Sequence, residues 1–363
     1  MLVIASNKTM YNLKKTKSFL INYVDLEKLA INNLYLNQSP TSNTEHYVTL
    51  FDSNFLAQGL SLYYSLLSIQ HDFVLWVICI NSECFDTLSS LNLPRIHLID
   101  LSSVESEELL SVKSSRSIAE YCWTVTPFAP DFVFQADSNI SRLTYIDADL
   151  YFLKSPKPIF QELIASGKSI LITEHNYARI YDQSSKAGKF CVQFVSFDRV
   201  RSSPARIWWQ KKCIDWCFNR YEDNKFGDQK YLESFPKLFP DEVHILKNKS
   251  TFQAPWNAII FPPSECIVFH FHGLRLLDKR KSILLASKHY DIPRQTIKII
   301  YSSYMSMMSS ILKSGMIEWH EQASMPSLSR EWLKETILFI LQPFRLFRKP
   351  RKPRIYLYKI FDN

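Results

Sequence analysis

Glycine is scarce in this chain, six of 363 residues, against a usual share of roughly 7%. No Gly-x-Gly-x-x-Gly and no Walker loop occurs, which removes the common backbone cradles for dinucleotides and triphosphates. Any phosphate bound here is held by other means. The seven cysteines, Cys79, Cys84, Cys122, Cys191, Cys213, Cys217 and Cys266, include no Cys-x-x-Cys pair, and several sit inside apolar runs as buried thiols do. A reducing compartment is expected. No histidine or further cysteine follows Cys213 and Cys217 at ligand spacing, so a zinc site there is rejected. No window reaches the roughly 18 uninterrupted apolar residues of a membrane span. Met1-Leu-Val-Ile-Ala-Ser6 lacks the basic region and apolar length of a secretory signal. The expectation is a cytoplasmic protein, with or without peripheral attachment to the inner face of the cell membrane.

Hydrophobic residues make up 46% and charged residues 21% of the chain, enough apolar material for one large domain or two modest ones. The net charge of +8 is uneven: from Ser329 to Asn363 nine basic residues stand against three acidic ones. The remainder is close to neutral, so it is the carboxy-terminal tail that calls for an acidic partner.

The most informative stretch is Leu143-Thr-Tyr-Ile-Asp-Ala-Asp-Leu-Tyr-Phe-Leu153. It runs an apolar strand into two carboxylates, and side chains alternate across a strand, so Asp147 and Asp149 emerge on one side. Strand ends in an open α/β sheet are where ligands bind, and two carboxylates there can hold a hard divalent cation that also takes phosphate oxygens. Taken alone, Asp-x-Asp reads more readily as an acidic turn capping a strand. Its surroundings shift the balance.

Residues 1–45 read as an extension in which Tyr23–Leu36 has helical apolar spacing. From Tyr47 strands and helices alternate: Tyr47–Phe51, Phe73–Ile80 and Ile96–Leu101 as strands, Phe55–Ile69 as a helix. That order implies a mainly parallel sheet with right-handed crossovers. Asp52, Ser53 and Asn54 then fall in the first strand-to-helix crevice, where they serve either a nucleoside or a helix cap. Lys113–Pro127 reads as a helix with Tyr121 and Trp123 near its middle. Ser169–Thr173 is a buried strand leading to Glu174 and His175, the latter a candidate acceptor contact or a structural histidine. Arg206–Tyr221 reads as an aromatic helix. Glu265–Phe271 is the last strand and delivers His270, His272 and Gly273. Residues 276 to about 325 look helical.

Phe51-Asp-Ser-Asn54, the Asp-x-Asp stretch, Phe226-Gly-Asp-Gln-Lys-Tyr-Leu232 and Val268-Phe-His-Phe-His-Gly273 give the chain, from about Tyr47 to Gly273, a further property. It resembles the metal-dependent GT-A glycosyltransferases, nearest to the glycogenin and bacterial lipopolysaccharide galactosyltransferase type. The resemblance implies an α/β fold with a mainly parallel central sheet flanked by helices and a helical carboxy-terminal region. It implies Mn²⁺ or Mg²⁺ held by Asp147, Asp149 and His270, a uridine held by Asp52, Asn54 and Phe55, and a role in catalysis for Asp228 and Gln229. Arg116, Trp123, Asp147, Gln193, Gly273 and Arg275 are the remaining donor-binding candidates. Relatives carry an arginine where Trp123 stands, which leaves Arg116 or Lys113 to grip the diphosphate. They carry Asn and Gly where this chain has Cys191 and Gln193, and a lysine where Leu276 stands, for which Arg275 or Lys279 would substitute.

The expected activity is transfer of a hexose from a nucleotide-diphosphate sugar, UDP-linked, to a saccharide or lipid-linked acceptor, in bacterial lipopolysaccharide or surface-polysaccharide synthesis. Retention of configuration follows from the resemblance; an inverting enzyme needs a base, for which Asp228 is the first candidate. One rival is an Asp-x-Asp phosphohydrolase, which wants Thr or Val where Tyr151 stands and a later acidic pair; no Asp-Asp occurs. The other is a non-catalytic binder of membranes or nucleic acid, which leaves the Asp-x-Asp and His-x-His-Gly coincidence unexplained. The expected divisions are 1–45, a catalytic domain over 46–275, a helical region over 276–328, and a basic amphipathic tail over 329–363. In the tail, Trp332–Phe347 has largely helical apolar spacing beside the run Arg348–Arg354, the pattern of a segment lying on an anionic membrane surface. Nucleic acid gives no reason for the apolar face, so no nucleic-acid partner is expected.

Overall fold

A computed structural model describes residues 24–31, 33, 35–36, 38–41, 43–278, 282–287, 290–318, 322 and 354–359. In chain order the strands are β1 (Glu45–Phe51), β2 (Phe73–Cys79), β3 (Ile96–Asp100), β4 (Arg142–Ile146), β5 (Leu150–Phe152), β6 (Ile170–Glu174), β7 (Phe190–Asp198), β8 (Val243–Ile245), β9 (Phe252–Gln253) and β10 (Val268–His270), followed by β11 (Leu274–Asp278), β12 (Ser282–Ser287) and β13 (Arg354–Lys359). Seven form one sheet in the order β3-β2-β1-β4-β7-β6-β8. β1 is parallel to β2 and β4, β2 to β3, and β6 to β8; β7 is antiparallel to both its neighbours, β4 and β6. This is the mainly parallel, helix-flanked arrangement expected of the GT-A fold.

The solid apolar runs follow from burial on both sheet faces. Along β2, Phe73, Leu75, Val77 and Cys79 enter one core, and Val74, Trp76 and Ile78 enter the other. The first core is covered by helices Leu56–Ser68, Lys157–Ser166 and Ser302–Ser314, the second by Ile118–Val125, Ala129–Ala136 and Ser203–Asp215. Each fully buried large apolar side chain contributes about 1.5–3 kcal/mol. Gly59 is required where the first helix crosses β1: a Cβ there would stand 2.3 Å from the Phe51 ring.

Several elements differ from the sequence reading. The helix expected over Lys113–Pro127 is the shorter Ile118–Val125, and a separate helix, Glu107–Lys113, ends where it was expected to begin. Ser117 starts Ile118–Val125 with a capping box, its hydroxyl accepting the Glu120 N–H while the Glu120 carboxylate accepts the Ser117 N–H at 2.8 Å. The aromatic helix stops at Asp215, and Trp216 is extended, so Cys213 and Cys217 are buried free thiols and not a helical pair. In the extension the described helix is Leu26–Ile31. β11 and β12 form an antiparallel pair where a helix was expected from residue 276, and helix follows only over 294–314. Short apolar runs such as Leu274–Leu277 satisfy either periodicity, and here pairing decided. β13 pairs antiparallel with β12. The apolar segment Trp332–Phe347 and the basic run up to Pro353 lie outside the described residues.

Candidate functional site

The chain winds outward from β1 through β2 to β3, then returns to place β4 on the other side of β1. Ligand crevices open at such a reversal, outside the carboxyl ends of the strands. Because β1 and β4 are parallel and adjacent, the residues after Phe51 and after Ile146 share this edge.

Asp147 leaves β4 and Asp149 sits in the tight turn to β5, where the Leu150 N–H donates to the Asp147 carbonyl at 3.2 Å. A turn, not strand alternation, therefore brings the two carboxylates together. His270 arrives from the distant β10, whose antiparallel register sets it opposite Leu150. The Phe271 N–H donates to the Asp149 carbonyl at 2.9 Å. This places His270 Nε2 3.0 Å from Asp149 Oδ1 and 3.7 Å from Asp147 Oδ2. One ligand atom from each of Asp147, Asp149 and His270 lies within 4.8 Å of the others. The side chains of Asp147 and Asp149 keep 29% and 15% exposure, so a ligand can reach them.

The electrostatics fit a cation. Burial pushes the Asp147 carboxyl up to about 6, against the pull of His270. Burial works to raise Asp149 as well, but the His270 charge outweighs it and holds that carboxyl down at about 2. Burial opposes a charged His270, yet the Asp149 carboxylate keeps its imidazole protonated well above the usual range. Two partly buried carboxylates thus draw a positive charge between them. Two hard oxygen donors and one imidazole are a donor set that could hold a divalent cation.

Phe55 and Arg275 meet at this edge, the guanidinium 5.5 Å from the ring centre. The Arg275 charge also helps lower the Asp149 carboxyl. Gly273 allows that approach: its φ of +81 turns the chain from β10 into β11, with the Leu274 N–H donating to the Phe271 carbonyl. Asp52 and Asn54 are bonded to each other, Asn54 N to Asp52 Oδ1 at 3.1 Å and Asn54 Nδ2 to Asp52 Oδ2 at 2.9 Å. Asp52 caps the short 3₁₀ turn here, the competing reading of its sequence position.

Other candidates are placed differently. Arg116 donates to the carbonyls of Cys213 and Ile214 at 3.4 and 3.1 Å and lies 3.9 Å over Phe218, closing the end of the helix Ser203–Asp215. That accounts for it without a diphosphate. Lys113 pairs with Glu105 at 2.7 Å, and Lys279 lies outside the described residues. Trp123 packs near Phe226 and against Gly227, where an added Cβ would meet it at 3.4 Å, so it backs the Asp228 loop. His175 is buried, stacked on Tyr177 at 4.6 Å and edge-on to Trp256. Its imidazole is covered and neutral, pushed down to about 3 chiefly by burial. Gln193 is buried with its Oε1 2.8 Å from His270 Nδ1.

Tyr145 was not foreseen; its hydroxyl donates to Asp147 Oδ1 at 3.0 Å. Its place on β4, two residues before Asp147, was the available signal. Trp256, edge-on to His270 at 5.4 Å, comes from an irregular segment that carried none.

Asp228 is buried, and burial, with the nearby charge of Asp147, raises its carboxyl to about 8. A raised carboxyl favours folding fully below the unfolded value near 4 and loses that contribution as pH rises through 8. In metal-free protein Asp228→Asn should therefore melt at the wild-type temperature at pH 4 and progressively above it toward pH 8. The gap should grow by about 1.4 kcal/mol per pH unit across that window. Melting curves at five pH values check this; parallel curves would show that Asp228 ionises freely.

No family model matches the chain. It is 26% identical over 287 residues to the uncharacterized protein YfnF of Bacillus subtilis (strain 168), covering 74% of this chain and 93% of that protein. It is 27% identical over 279 residues to YfnD of the same organism, covering 72% and 88%. Its structural neighbours include glycosyltransferases. The galactosyltransferase LgtC, solved with donor and acceptor sugar analogs, superposes with a TM-score of 0.43 at 15% identity over 73% of this chain and 95% of that one. GlyE of Streptococcus pneumoniae TIGR4 gives 0.46 at 13% over 78% and 66%, and mouse xyloside xylosyltransferase 1 gives 0.43 at 13% over 62% and 97%. Likenesses this distant assign no activity.

Proposed function

We propose that this protein is a metal-dependent glycosyltransferase that moves a hexose from a nucleotide-diphosphate sugar, UDP-linked, to a saccharide or lipid-linked acceptor. The observation that carries the reading is the convergence of Asp147 and Asp149, in the turn between β4 and β5, with His270 from the end of β10. Asp147, Asp149 and His270 would hold Mn²⁺ or Mg²⁺, which when bound supplies charge neutralisation to the departing diphosphate. Phe55 offers a face for the base, and Asp52 and Asn54 can exchange their mutual bonds for the ribose. Arg275, whose guanidinium lies near the Phe55 ring and whose charge acts on Asp149, would grip phosphate oxygens. Asp228, whose carboxyl feels the charge of Asp147, and the adjacent Gln229 would face the donor sugar.

An inverting course would use Asp228, whose carboxyl burial raises to about 8, as its base. The retaining course, in which the leaving phosphate takes the acceptor proton, is the one the sequence resemblance implies. A screen of nucleotide sugars for slow hydrolysis in Mn²⁺, Mg²⁺ and EDTA tests the proposal. Hydrolysis of one UDP-sugar that EDTA stops is expected; no turnover or stabilisation with any nucleotide sugar would count against it.

Among the described residues no helix is long and apolar enough to cross a membrane. The acceptor reading extends to lipopolysaccharide or surface-polysaccharide synthesis through the tail. Near an anionic leaflet each Lys or Arg adds roughly 1 kcal/mol, so the five charges of Arg348–Arg354 can supplement an apolar segment. Full-length protein should sediment with phosphatidylserine vesicles and release as salt rises. Equal sedimentation with neutral vesicles would remove the tail from the proposal.

A further inference from the structure

A buried amide on a central strand costs free energy unless its polar atoms are bonded. Gln193 is 2% exposed on β7, between β4 and β6. Its side-chain Oε1 lies 2.8 Å from His270 Nδ1, and its backbone carbonyl accepts the Asp147 N–H at 3.1 Å. One residue thus touches two of the three candidate ligands, through two separate groups. Trp256 confines the imidazole further, its ring edge-on at 5.4 Å and 86°. Trp256 is itself fixed by donating its Nε1–H to the His175 carbonyl at 2.7 Å. Nε2 is left facing Asp149 and Asp147.

We propose that Gln193 is a positioning residue for cation binding. By accepting the Nδ1–H of His270 it fixes the ring and its tautomer, so that the Nε2 lone pair is aimed between the two carboxylates. This rests on reading the cluster as a divalent-cation site, and it replaces the donor-gripping role expected of Gln193 from sequence. Outer partners of ligating histidines typically carry a 10–100-fold effect on metal affinity. A small residue at this strand position would remove that acceptor and leave the buried imidazole with the Cys191 thiol, which also hydrogen-bonds it. The long amide reaches Nδ1 from the strand behind.

The test is direct Mn²⁺ binding to the full-length protein, read from the electron paramagnetic resonance signal of free Mn²⁺, without donor. Gln193→Met, similar in length but lacking the acceptor, should weaken Mn²⁺ binding roughly 10–100-fold. Gln193→Glu, which keeps an acceptor, should stay within about threefold of wild type, an outcome a merely packing role would not produce. At saturating Mn²⁺ the KM for donor should be unchanged in Gln193→Met. Should that variant not fold, Gln193→Asn, whose carbonyl is withdrawn by one methylene, carries the same expectation. Unchanged Mn²⁺ affinity in Gln193→Met or Gln193→Asn, with or without weaker donor binding, overturns the inference and leaves the metal site standing. Wild-type protein that binds no Mn²⁺ overturns the site reading and this inference together.

Discussion

Asp149→Ala is expected to abolish transfer, lowering turnover by at least about 10²–10³-fold, the usual scale for removing one group that stabilises developing charge. The fold should survive. Asp149 sits in the partly buried turn between β4 and β5, and the backbone bond that anchors it, from Phe271 N–H to its carbonyl at 2.9 Å, does not involve the side chain. The substitution removes one carboxylate from the charge that now stabilises the His270 imidazolium. A modest stability change is therefore expected in metal-free protein, alongside a near-complete loss of Mn²⁺ affinity. Circular dichroism with transfer assays checks both halves. Full activity in Asp149→Ala would mean that the cluster is an ion pair and nothing more.

Arg275→Ala should have the next largest effect. Among the described residues, Arg275 is the cation whose charge acts on Asp149 and whose guanidinium also reaches a candidate base platform, Phe55. Removing a clamp on developing phosphate charge should cost kcat/KM about 10²-fold. Arg116→Ala should change melting temperature and leave kcat/KM close to wild type, because its guanidinium serves the end of a helix. Phe55→Ala separates base from phosphate: stacking worth about 0.5–1.5 kcal/mol should be lost, weakening donor binding several-fold with kcat largely kept. Steady-state kinetics on the three variants distinguish them. If Arg116→Ala loses activity and Arg275→Ala does not, the phosphate grip lies on the other side of the crevice.

The parts legible in the sequence were those with strong local patterns. Asp147, Asp149 and His270 lie next to apolar strands whose ends define the site, and the structure brings them together. The first three strands and the helix Leu56–Ser68 were likewise readable, β2 most plainly because a strand buried on both faces is apolar throughout, whereas the helix Ser82–Leu91 between β2 and β3 was not named. Contacts between distant segments were not readable. Nothing in the run around Gln193 announces that it meets His270, 77 positions away. Arg116 had the composition of a ligand-binding cation, and only the fold places it against the carbonyls at 213 and 214. The strands β11 and β12 read as helix because short apolar runs carry no decisive period, and their pairing with each other settled the matter.

The most direct measurement is calorimetric titration of UDP into the full-length protein, once in Mn²⁺ and once in EDTA. Binding in Mn²⁺ that EDTA removes and Asp149→Ala fails to recover is the expected result. Binding of equal strength in EDTA, or no binding in either buffer, would contradict a nucleotide-sugar site built on Asp147, Asp149 and His270.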